Sequence, residues 1–216
     1  MSDKNKIDKE KSSLLLKTVD IILDKAINGF GPGPFKGCKE LAEEYLKKND
    51  DKQLAARHMA NVQIKDCAVT GFITSFGGLI TLPLNVSADL SATWFIQLRM
   101  IAAIAVMAGL NPTDNEIKVM CKACLLGKSG IELIKRAGVE LTKRAGYKAV
   151  GKIPGKLITA INQRVGMRLL TKFGNEGIIN LGKGVPILGG VVGATFDYLS
   201  TARAANTAIK YFLQNI

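Results

Sequence analysis

At 216 residues with 47% apolar side chains, the chain is long enough to bury a real core, as one generous domain or two small ones. Its 22 glycines and sparse aromatics suit closely approaching helices and argue against a β-sandwich, because glycine removes the side chain that holds backbones apart. The net charge of +12 is lopsided: Lys118 to Lys172 holds thirteen basic residues against Glu132 and Glu140, which points to an anionic partner.

Residues 1–13 form a charged tail without the apolar core of a secretory signal, so a cytoplasmic location with reduced thiols is expected. Neither myristoylation nor prenylation is indicated. From Leu14, the positions Leu15, Leu16, Val19, Ile22, Leu23 and Ala26 recur at helical spacing. Asn28-Gly29 and Gly31-Pro32-Gly33-Pro34 stop that helix. Two charged helices follow, Lys39–Lys48 and Gln53–Lys65. The second runs into a long apolar stretch, Cys67–Leu110, in which Asp89 and Arg99 are the only charges.

Pro83 divides that stretch. Each half is borderline for the roughly 20 residues of a straight membrane span, so the two together resemble an apolar helical hairpin. The second half runs from Ser87 to Ala108 and closes at Gly109 and Pro112. Thr113-Asp114-Asn115-Glu116 has the pattern of a capping box. Helical pattern continues beyond it, with interruptions at Gly127, Gly130, Gly138, Gly146 and Pro154-Gly155. Residues 174–184 read as a loop, and a last helix runs from Pro186 to about Leu213. No run of alternating β-branched residues occurs. The expected fold is therefore an all-α, single-domain helical bundle over residues 14–216, with glycine-rich apolar central helices.

The order Thr70-Gly71, Gly77 to Pro83, and Gln97 to Ala105 with Gly109 beyond it resembles the EcsC family. So does Val185 to Ala194 followed by Asp197. The resemblance spans roughly residues 15–213. It implies a bacterial helical protein, often regarded as membrane-associated, and supplies no catalytic residues.

Candidate chemistry is thin. Cys121-x-x-Cys124 has metal-like spacing, but four Cys or His ligands are needed for structural zinc. Two buried core cysteines on one helix face are the simpler account. Gly127-Lys128-Ser129 has the ending of a phosphate loop, but Lys122 stands where that motif needs glycine and no strand precedes it. His58 has no nucleophile motif around it. We expect no metal, no cofactor and no catalytic residue, and read the protein as non-enzymatic.

The remaining candidates are charges and glycines. Asp89 and Arg99 lie about 15 Å apart along one helix, so they cannot pair with each other. Buried charge needs a partner, which suggests Asp89 with Arg203 or Arg99 with Asp197, unless each reaches water at the rim. Gly71, Gly77, Gly78, Gly189, Gly190 and Gly193 would let the central helices pack closely. Lys135, Arg136, Lys143, Arg144, Lys148, Lys152, Lys156, Arg164 and Arg168 form the expected anionic-surface binding set, beside apolar faces that include Ile134, Leu157, Ile161 and Val165.

The leading expectation is docking on anionic membrane lipid, peripheral to or partly inserted in the cytoplasmic membrane, with a protein partner possible there. A lipid-handling protein or enzyme with an acyl-chain pocket is the alternative. Nucleic acid ranks last, because Tyr147 and Phe173 are the only aromatics near the basic residues and offer no stacking platform.

Overall fold

The computed structural model describes residues 3–68, 88–138, 153–174 and 186–214, and the side chains of 16–66 apart from Pro34, 92–138, 153–165 and 197–214. The chain is all-α, with no strand among the described residues. The elements are α1 (Asp3–Asn28), α2 (Cys38–Leu46), α3 (Lys52–Ala68), α4 (Ala88–Met107), α5 (Asn115–Leu125), α6 (Lys128–Arg136), α7 (Gly155–Gly174) and α8 (Pro186–Ala208). A π-helical segment, Ile209–Gln214, continues α8. Among the described residues, no helix is long and apolar enough to cross a membrane.

Helix α1 starts ahead of Leu14, at Asp3, because no glycine or proline interrupts the charged residues before it. It stops at Gly29, whose φ of 74° suits a residue without Cβ and whose N–H donates to the Lys25 carbonyl at 2.8 Å. Asp51 caps α3, accepting the Leu54 N–H at 2.7 Å.

Helix α4 is the centre. Every residue from Ala92 to Ala105 is buried. A helix apolar over most of its surface is enclosed, and α1, α2, α3, α5, α8 and the π segment all pack on this one. Phe95, Ile96, Leu98, Met100, Ile101, Ile104 and Met107 are its fully buried large side chains, each contributing on the order of 2 kcal/mol by leaving water. The alanines at 92, 102, 103 and 105 let neighbouring helices approach. Gly109, at φ 87°, ends α4 in a Schellman turn: its N–H donates to Val106 (2.8 Å) and the Leu110 N–H donates to Ala105 (2.9 Å).

Two local expectations change. The capping box before α5 is replaced by a turn organised around Asn111. Its Oδ1 accepts the N–H and hydroxyl of Thr113 at 3.2 and 2.8 Å, and its Nδ2 donates to Asp114 Oδ1 at 2.8 Å. Asp114 then precedes the helix without a side-chain cap bond, its Oδ1 being already engaged by Asn111. Gly130 lies inside α6 and is no interruption. A Cβ there would collide with the Ala123 carbonyl, so glycine is what permits the sharp α5–α6 approach. The break falls at Gly127, one of the expected interruptions, with φ 68°.

Candidate functional site

Two sets of charged and polar residues emerge, one inside the bundle and one outside. The inner set hangs on α4. Thr93 and Gln97 lie one turn apart and face α8. Gln97 Nε2 donates to Ser200 Oγ at 3.0 Å and to Thr201 Oγ1 at 2.9 Å, and Thr93 Oγ1 donates to Asp197 Oδ2 at 3.5 Å. Ser200 Oγ in turn donates to the Asp197 carbonyl at 3.2 Å. Thr93, Gln97, Ser200 and Thr201 are all buried, so these bonds satisfy groups that water cannot reach.

On another side of α4, Arg99 is 3% exposed. Its Nη2 donates to Gln63 Oε1 at 2.7 Å and its Nη1 to the Lys36 carbonyl at 3.5 Å. The guanidinium sits 5.1 Å from the Phe95 ring centroid, within cation–π range. Gln63 Nε2 donates onward to Asp66 Oδ2 at 3.3 Å. Burial pushes the Asp66 carboxyl up, and the nearby Arg99 charge partly offsets that. Arg99 thus reaches α3 and the chain ahead of α2, while Asp197 serves the α4–α8 seam. Arg203 is exposed on α8, and the side chain of Asp89 lies outside the described residues.

The described cysteines are core. Cys38, Cys121 and Cys124 are free and buried. Burial pushes the Cys38 thiol up to about 12 and raises both α5 thiols as well. Tyr211, on the π segment, is raised by burial and by the nearby Cys124, and its Oη has no hydrogen-bond partner. Among the described residues, no cluster of His, Cys, Asp or Glu could hold a metal ion.

The outer set lies on α6 and α7, which pack against each other and against α5. Ile134, Leu157, Ile161 and Val165 anchor this layer in the core. Lys128, Lys135 and Arg136 on α6 are exposed, as are Lys156 and Arg164 on α7. Glu132 is the one acid in either helix. Lys143, Arg144, Lys148 and Lys152 lie outside the described residues, and so does the side chain of Arg168.

Two members of the basic segment do not belong to that surface. Lys118 pairs with Asp24 at 2.7 Å, and Lys122 pairs with Asp20 while donating to Asn162 Oδ1 on α7 at 3.3 Å. The Asp20/Asp24 and Lys118/Lys122 spacings, each one helical turn, were the available signal. Gly71, Gly77 and Gly78 lie outside the described residues. Gly189, Gly190 and Gly193 fall within α8, at positions where only the backbone is described.

The glycine-rich order around α4 and α8 is matched by the model of the EcsC protein family over residues 4–214, nearly the whole chain. The chain belongs to the EcsC family. No curated protein and no solved structure matches it. Two residues of the stretches that carry the resemblance, Gln97 and Asp197, belong to the polar seam between α4 and α8 in this EcsC protein.

Proposed function

We propose that this EcsC protein docks on anionic membrane lipid at the cytoplasmic face, through the basic layer of α6 and α7, with no reaction of its own. The observation that carries the reading is the exposure of Lys128, Lys135, Arg136, Lys156 and Arg164 on two packed helices whose one acid is Glu132. Each basic residue near an anionic leaflet adds about 1 kcal/mol. Five together suffice for reversible attachment, and the apolar undersides of the helices keep the layer fixed to the bundle.

The test is co-sedimentation with vesicles of pure phosphatidylcholine and of phosphatidylcholine mixed with phosphatidylglycerol. The expected result is binding to the anionic vesicles alone, weakening as salt shortens the screening length to about 10 Å and below. Equal binding to both vesicles, or to neither, overturns the reading. So does tighter, salt-sensitive retention of duplex DNA under the same conditions, which would move the assignment to nucleic acid.

A further inference from the structure

Two acids of α1 stand at the margin of the basic layer. Asp20 and Asp24 are one turn apart on α1, and their partners Lys122 and Lys118 are one turn apart on α5. The Lys122 ammonium also touches Asn162, on the helix that carries Lys156 and Arg164. The acids remain 53% and 55% exposed, whereas Lys122 is only 8% exposed. At this junction the carboxylates face solvent and the lysine is withdrawn. Helix α1 itself is firmly seated, with Val19, Ile22, Leu23 and Ala26 in the core.

We propose that the Asp20–Lys122 and Asp24–Lys118 pairs form an electrostatic edge to the docking surface: they withhold both lysines from anionic lipid and hold the α1 side of the bundle away from it. The inference rests on the lipid-docking reading. An exposed carboxylate beside an anionic leaflet is repelled much as a lysine is attracted, and the effect fades beyond a screening length. The edge therefore limits affinity and decides which side of the molecule lies down.

The experiment combines vesicle affinity with lysine acetylation footprinting by mass spectrometry, on the full chain with phosphatidylglycerol-containing vesicles. In the wild type, Lys135 and Lys156 become protected and Lys118 does not. Asp24→Asn raises affinity roughly five-fold, and adding Asp20→Asn raises it by a similar factor again while extending protection to Lys118. Glu43→Gln removes the same charge from an exposed position on α2, which packs on α1, α3 and α4. It changes affinity less than about two-fold. An equal gain from Glu43→Gln, or Lys118 already protected in the wild type, overturns the edge. Should the double variant fold poorly, Asp24→Asn alone reads the same effect, since its partner Lys118 is 30% exposed. Wild type that ignores anionic vesicles removes the docking reading itself. Wild type that binds, with no response to Asp24→Asn, removes only the edge.

Discussion

Helix α4 and the α6–α7 layer both carry guanidinium charge, and they treat it in opposite ways. Arg99 is enclosed, and the Gln63 and Lys36 oxygens and the Phe95 ring bind it at fixed positions. Arg136 and Arg164 stand in solvent. A charge held by several buried partners determines how the helices fit together, and removing it leaves those partners unpaired. A charge left in water contributes little to the fold and stays available to something outside. The bundle thus separates the charge that specifies its shape from the charge it can offer a partner.

The contrast can be broken most directly from the outside. Replacing Lys135, Arg136, Lys156 and Arg164 together by alanine should remove about 4 kcal/mol of binding to anionic vesicles. Each substitution should move folding stability by no more than about 0.5 kcal/mol in urea titrations. A variant that unfolds while still binding lipid would reverse the assignment of the two regions. From the inside, Arg99→Ala should cost about 3 kcal/mol of stability, because Gln63 loses a charged partner in the core. Vesicle binding by the remaining folded protein should be unchanged.

Alkaline titration sharpens the picture of the core around α4. The buried thiols hold their protons more tightly when folded than when unfolded, where the ordinary value is 9.0. Their contribution is whole below about pH 9 and is lost as pH climbs through the folded value, about 12 for Cys38. At pH 10, Cys38 alone should cost about 1 kcal/mol relative to pH 8, visible as a lower urea midpoint. A flat profile from pH 8 to pH 10 would mean that the thiols are open to water. The smallest effect expected is that of Tyr211→Phe. Deleting a buried hydroxyl without a hydrogen-bond partner should leave stability unchanged or raise it by up to about 1 kcal/mol in thermal melts.

Much of the architecture was legible in the sequence because it rests on periodicity. Val19, Ile22, Leu23 and Ala26 mark one face of α1, and the same residues are buried there. The Cys121/Cys124 spacing gave two core positions on α5. Less legible were features that depend on which helices meet. Gln97 reads as a helix former among apolar residues, and nothing local to it names Ser200 and Thr201, more than a hundred positions away. Lys122 reads as one more surface cation in a basic run. Only the arrival of Asp20 and Asn162 from two other helices withdraws it. Gly130 has the composition of a break, yet the Ala123 carbonyl beside it turns that glycine into a packing device.

The Lys118–Asp24 pair also has a consequence for how the chain is made. Its members are 94 positions apart, and α4, against which α1 packs, begins only at Ala88. At a synthesis rate of roughly 5–20 residues per second, the first helix waits on the order of 5–20 seconds for the residues that finally hold it. During that interval Val19, Ile22 and Leu23 lack the helix that later covers them. Conditions that slow elongation, or that leave chaperones short, should therefore cost this protein more yield than a bundle whose first helix packs mainly on its nearest neighbours.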